Sequence, residues 1–234
     1  MYLTRSSSSD YEQFCSLDVL GLEDRPAGDQ QVVYSEFQEQ LVRHPEGWYE
    51  TGLLWKAGHP PLPNNQKDSL VRLSNLVKKL QKVPSHLDEY GKIILDQLKE
   101  GIVERVSDET QGERECYLPH KAVIRETAQS TKMRIVFDAS ANANQGGPPL
   151  NDCLETGPPL QNLLWSVLVR NRLKPVALCG DIKQAFLQAR IREADRDALR
   201  FHWIRDKKSS QVKTLRFTGH YLDLCSRRFF LRVP

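Results

Sequence analysis

Three prolines within four positions, Pro60, Pro61 and Pro63, constrain this chain more than any other local feature. Proline lacks a backbone N–H and fixes φ, so neither a helix nor a central strand can run through them. A linker or boundary is expected there. Before it come a run of serines, an acidic stretch through Asp24, helical spacing from Val32 to Leu41, and Gly47-Trp48-Tyr49. Residues 1–60 therefore read as a loosely structured, linker-like N-terminal segment.

Beyond the prolines the periodicity is clearer. Leu70, Leu73, Val77 and Leu80 fall on one helical face with Lys78, Lys79 and Lys82 largely off it, until Pro84 stops the helix. A second helix fits Ser85 to Glu100, with Ser85 as its cap and Gly101 taking the left-handed conformation past its end. Ile102, Val103 and Val106 suit a short strand. Tyr117–Arg125 and Lys132–Phe137 read as a hairpin, in which Lys132 and Arg134 point the same way because strand side chains alternate. Lys121 and Arg125 add to the basic lining, which could equally be an ordinary solvated strand face. Asn142–Pro149 is a loop, and Leu160–Arg172 carries the broad apolar stripe of a core helix. Leu199–Ile204 and Val212–Phe217 form a second hairpin around a turn at Asp206–Ser210. Helices and strands in this order make an α+β chain.

Composition excludes some functions. No stretch reaches the roughly 18 apolar residues of a membrane span, and the start lacks the apolar run of a secretory signal, so an intracellular, cytoplasmic protein without a membrane partner is expected. The five cysteines (Cys15, Cys116, Cys153, Cys179, Cys225) are scattered, without the spacing of a disulfide scaffold or zinc site. Charge is divided: residues 1–120 hold 13 basic and 20 acidic side chains, residues 121–234 hold 20 and 10. A basic half suits an anionic partner such as nucleic acid, or is simply a solvated face.

Val176–Gly180 has the uncharged pattern of a buried strand and ends in Asp181. A carboxylate held there could ligate a hard cation such as Mg²⁺, or serve as a helix cap or turn residue. Ile182–Ile191 reads as short helical or irregular structure.

The order of the pieces says more than any one of them. Lys132-Met133-Arg134-Ile135-Val136-Phe137-Asp138-Ala139-Ser140, Leu150-Asn151-Asp152, Gly157-Pro158, Gly180-Asp181-Ile182-Lys183-Gln184-Ala185-Phe186-Leu187-Gln188 and Asp195–Trp203 together resemble the reverse transcriptase of BEL/Pao-type LTR retrotransposons. Upstream, Leu17–Leu22, Tyr49–Lys56 with Pro61–Asn64, and Tyr117–His120 resemble the stretch between protease and polymerase in such polyproteins. The resemblance covers roughly residues 14–218. It implies a partial right-hand polymerase: a fingers-like region over residues 61–150, a partial palm over 151–218 and a divergent tail over 219–234.

The resemblance further implies RNA-directed DNA polymerisation on an RNA template and DNA primer with deoxynucleotide triphosphates. Asp181, with the backbone carbonyl of Ile182, would hold catalytic Mg²⁺. Lys132 and Arg134 would contact the incoming triphosphate. Phe186 would close the sugar pocket against a 2′-hydroxyl, unless it is an ordinary core phenylalanine. The family also needs a Tyr-x-Asp-Asp turn, and none is present; Tyr221-Leu222-Asp223-Leu224 has a single Asp and follows Asp181 too closely. The family pattern stops after Phe217-Thr218, as a frameshift or misjoined gene model would produce. This chain alone is therefore expected to be inactive, either a truncated polymerase able to associate with a complete one, or a non-catalytic nucleic-acid-binding or decayed polyprotein fragment.

Overall fold

The computed structural model describes residues 30–106, 114–124, 133–143, 146–156, 164–172, 175–176, 189–206 and 209–219. The architecture is α+β, with helices packed against small, mostly antiparallel sheets. The stretch before the prolines contributes α1 (Gln30–Gln40), β1 (Val42–Arg43) and β2 (Tyr49–Thr51). Strand β2 pairs with β1 antiparallel and with β6 (Ala189–Ile191) in parallel, Tyr49 opposite Ala189 and Thr51 opposite Ile191. Leu53 and Leu54 are fully buried, Leu53 in the main core and Leu54 in a small cluster with Val33, Phe37 and Ala189 under α1. The three prolines thus lie in a connection along a shared core: Leu53 before them and Leu62 among them pack into the cluster that holds the later helices.

Helix α2 (Gln66–Gln81) buries Leu73, Leu76 and Leu80 at three- and four-residue spacing. Its entry is held by Asn65, whose amide bonds the backbone carbonyl and N–H of Tyr117, both at 2.8 Å, as a strand partner would. Helix α3 (Pro84–Lys99) starts one residue before the expected Ser85 cap. Pro84 occupies the first turn, where its missing N–H has no helical partner to lose, and extended Val83 precedes it. The same proline therefore ends one helix and opens the next. Gly101 follows at φ +70°, as expected of a left-handed C-terminal residue.

Strand β3 (Val103–Arg105) joins β8 (Ser209–Phe217), which pairs with β7 (Arg200–Asp206), all antiparallel; β4 (His120–Ile124) and β5 (Met133–Phe137) form a separate hairpin. Phe137, Phe201 and Phe217 meet between these two sheets, Phe137 edge-on to each of the others at 4.8 and 4.9 Å. Tyr90 of α3 stacks on Trp203 at 4.7 Å and closes the cluster.

Two local expectations give way, and a third falls mostly outside the described residues. The apolar stripe of Leu160–Arg172 does form a helix, α4 (Leu164–Arg172), but Leu164, Trp165, Val167, Leu168 and Val169 are all exposed. Periodicity sets the helix; burial needs a covering element, which it does not specify. Of the expected buried strand Val176–Gly180, Val176 is 70% exposed and not in a strand, and residues 177–180 lie outside the described residues. Ala189–Ile191, read as helical or irregular, is strand β6 with Ala189 and Ile191 buried and Arg190 exposed. Three residues are too few for alternation to outweigh the preceding pattern.

The stretch Asp195–Trp203 proves to be a folding node. A short helix α5 (Glu193–Arg196) and a 3-10 turn (Asp197–Leu199) lead into β7. Asp195 accepts from the backbone N–H of Leu53 (2.9 Å), the Trp55 indole (3.1 Å) and the Arg192 guanidinium (2.6 Å). It locks the β2 connection to α5. Arg200 and Arg216 stand directly opposite each other in the β7–β8 register, an arrangement that like charges disfavour. Asp197 resolves it, with Oδ1 accepting from Arg200 Nε (3.0 Å) and Arg216 Nη1 (2.9 Å). Arg216 also bonds Glu104 on β3 (2.5 Å) and Glu193 (3.2 Å). Burial disfavours charge on both arginines, yet Asp197 and Tyr117 beside Arg200, and Glu104 and Asp197 beside Arg216, outweigh it and hold both pKa values above the ordinary range.

Candidate nucleic-acid interface

The β4–β5 hairpin carries the described part of the sequence-predicted site. Its register sets Lys121 opposite Val136 and Val123 opposite Arg134. Opposed residues share a face and alternate residues share a face, so Lys121, Val123, Arg134 and Val136 lie together. Lys121 and Arg134 are exposed there. The opposite face presents His120, Met133 and Phe137 to the core. Pairing thus separates two cations from an aromatic floor.

That floor is hydrogen-bonded and uncharged. His120 Nε2 lies 2.9 Å from the His202 carbonyl, which can only accept, so this nitrogen carries the proton and Nδ1 accepts from the Tyr90 hydroxyl at 2.5 Å. Burial pushes the His120 pKa down to about 4, partly opposed by its bond to the His202 carbonyl. His202 stacks flat on Tyr117 at 4.5 Å, and its Nδ1 meets Ser69 Oγ at 3.2 Å. A Ser–His contact can activate a nucleophile, but both residues here are buried, without the access a substrate needs. At the end of β5, Asp138 pairs with Arg72 of α2 at 3.7 Å.

Of the sequence-predicted site residues, Arg134 is on this face. Lys132, Asp181, Ile182 and Phe186 lie outside the described residues, as does Arg125. Among the described residues no group of three or more His, Cys, Asp or Glu side chains is placed to hold a metal ion. Cys116 and Cys153 are unpaired buried thiols, and burial pushes the Cys116 pKa up to about 12, which keeps it protonated and unreactive. No helix among the described residues is long and apolar enough to cross a membrane.

Sequence reasoning missed a cleft of about 930 Å³ beside Trp55. The Arg114 guanidinium lies 4.2 Å from the Trp55 ring centre and His59 stacks at 5.2 Å. The cleft's Lys56, Arg114 and Arg192 are matched by Glu36, Glu115 and Glu155. With charge balanced among the described lining residues and the indole already engaged, those residues offer no cationic excess to attract a polyanion. The hairpin face is the better candidate. A sequence signal for the neighbouring ion pairs did exist: Arg192/Asp195 and Asp197/Arg200 share a three-residue spacing that brings side chains together on helical turns.

No protein-family model matches this chain, and no characterised protein matches it.

Proposed function

We propose that this chain is a reverse-transcriptase-like fragment whose basic hairpin grips nucleic acid or nucleotide phosphates. The observation that carries the reading is the shared solvent face of Lys121 and Arg134, on the hairpin that the family resemblance assigns to phosphate contact. Guanidinium and ammonium groups on a rigid strand pair offer fixed positive charge and directed donors to phosphate oxygens. Lys132, two positions before Arg134, would extend the same row.

In this reading the family activity is RNA-directed DNA polymerisation, with RNA template, DNA primer and deoxynucleotide triphosphates as partners. Asp181 and the Ile182 carbonyl would hold Mg²⁺, which when bound supplies charge neutralisation for in-line phosphoryl transfer. Phe186 would exclude the ribose 2′-hydroxyl. The 234 residues contain no Tyr-x-Asp-Asp turn to complete the carboxylate set. Primer extension on poly(rA)/oligo(dT) with Mg²⁺ or Mn²⁺ is accordingly expected to be absent for this chain. Robust extension that disappears in Asp181→Asn would contradict the inactivity and show that the carboxylates are supplied otherwise.

Binding tests the hairpin directly. Single-stranded RNA should bind with an affinity that falls steeply with salt. Each phosphate contact removed lowers the slope of log K against log salt by about 0.7. The triple variant Lys121→Ala/Lys132→Ala/Arg134→Ala should therefore bind more weakly and show a slope shallower by about 2. An unchanged isotherm and slope would remove the hairpin from the interface. A non-catalytic nucleic-acid-binding module is the second reading. It is favoured by the same cationic face, which requires no metal, and it predicts that Asp181→Asn leaves RNA affinity intact.

A further inference from the structure

A groove of about 320 Å³ runs between α3 and the β7–β8 pair, on different elements from the basic hairpin. Leu87, Gly91, Leu95 and Leu98 line it from the helix, Trp203 and Ile204 from β7. From Leu87 to Leu98 the helix advances three turns, about 16 Å at 1.5 Å per residue. The groove is therefore elongated and runs beside a helix. Leu95 is 53% exposed, so part of its apolar wall meets water.

Gly91 is informative. It lies in the interior of α3, where glycine weakens a helix relative to alanine, and it does not have positive φ. A Cβ built there would meet nothing within 4 Å. Neither backbone conformation nor crowding accounts for a glycine at this position. What the missing side chain does is keep the groove open at its middle.

The rim adds a sign. Among the described residues, Lys92, Arg105 and Lys213 border the groove with one acid, Asp88. We propose that this groove docks an amphipathic helix of a partner protein, one that inserts apolar side chains spaced three and four residues apart and places carboxylates along its flanks. The length of three turns suits a helix-in-groove contact, and the basic rim selects an acidic partner over a basic one.

The test uses the full chain and two labelled synthetic peptides of about four turns (roughly 15 residues). Both carry leucines at positions 1, 4, 8 and 11 among alanines; one has glutamates on its flanks and the other lysines. Fluorescence anisotropy should show binding of the glutamate peptide, with the lysine peptide at least about tenfold weaker. Gly91→Leu fills open space with a better helix former, so its urea midpoint should equal or exceed that of the parent while glutamate-peptide binding is lost. Lys92→Glu/Lys213→Glu, changed at the rim alone, should reverse the preference between the two peptides. Equal binding of both peptides, no binding of either, or glutamate-peptide binding unchanged in both variants would overturn the proposal. So would a concentration-dependent dimer of the full chain that Gly91→Leu dissociates, since the groove would then belong to a second copy. RNA affinity should be unaffected by Gly91→Leu, which separates this surface from the hairpin.

Discussion

Asp197→Ala is expected to destabilise the fold by roughly 3–5 kcal/mol, the cost of removing one partner from a buried ion pair. Domains of this kind are stable by only about 5–15 kcal/mol, so much of that margin would go. The reason is geometric. Arg200 and Arg216 face each other across β7 and β8, and the Arg200 side chain is fully buried. Asp197 Oδ1 sits between them at 3.0 and 2.9 Å. Without it two guanidinium groups confront each other away from water. Arg216 keeps Glu104 and Glu193, but the charge on Arg200 loses the carboxylate that its burial requires. Urea unfolding measures the effect, with Asp96→Ala as the comparison. Asp96 pairs with Lys99 at 3.6 Å on the exposed surface of α3, where such a pair contributes at most about 1 kcal/mol. If both variants unfold at the same urea concentration, the buried node has no special weight.

Stability should also fall steeply on mild acidification, through His120. Its folded pKa of about 4 lies below the ordinary 6.5. Between those values the unfolded chain binds a proton that the folded chain refuses, so the contribution is fully present above pH 6.5 and is lost as pH falls toward 4. At about 1.4 kcal/mol per pH unit of that interval, the loss is about 3 kcal/mol. Carboxylates elsewhere also destabilise the fold in acid, so the diagnostic is a difference. His120→Gln removes the titrating ring and should be less stable than the parent at pH 7, because the Tyr90 and Phe137 contacts go with it. Its deficit relative to the parent should shrink by about 3 kcal/mol between pH 7 and pH 4. A deficit that stays constant across that range would mean His120 protonates as readily folded as unfolded. Because His120 forms the floor behind Lys121 and Arg134, the same titration should loosen the hairpin before the rest of the chain yields. Faster amide exchange in β4 and β5 at pH 5 would report this.

Much of the local structure was readable from residue order. The spacing of Leu73 and Leu80, the stop at Pro84 and the turn at Gly101 depend on neighbours within a few positions, and α2, α3 and Gly101 appear where those residues put them. Both hairpins were legible for the same reason: alternation and an intervening polar run are local properties. The errors have a common cause too. Leu164 and Leu168 have the spacing of a buried face but are exposed in α4, and Ala189–Ile191 is a strand because β2 lies beside it in parallel. A contact between residues 49–51 and 189–191 leaves no periodic mark.

The candidate site divides along the same line. The sequence alone established that Arg134 stands on a strand with a basic neighbour two positions away, because alternation is a property of the extended backbone. That Lys121 shares its face required the pairing of Val123 with Arg134, which is a choice of register. Likewise the spacing of Asp197 and Arg200 is written in the chain, but the need for that carboxylate arises only when β8 brings Arg216 opposite Arg200. The groove beside Gly91 is a further instance, since its far wall comes from residues more than a hundred positions away. Local sequence determines which way a side chain points from its own backbone. The energy of a buried charge, or of an open groove, depends on what distant chain is folded against it, and that was decided by tertiary packing alone.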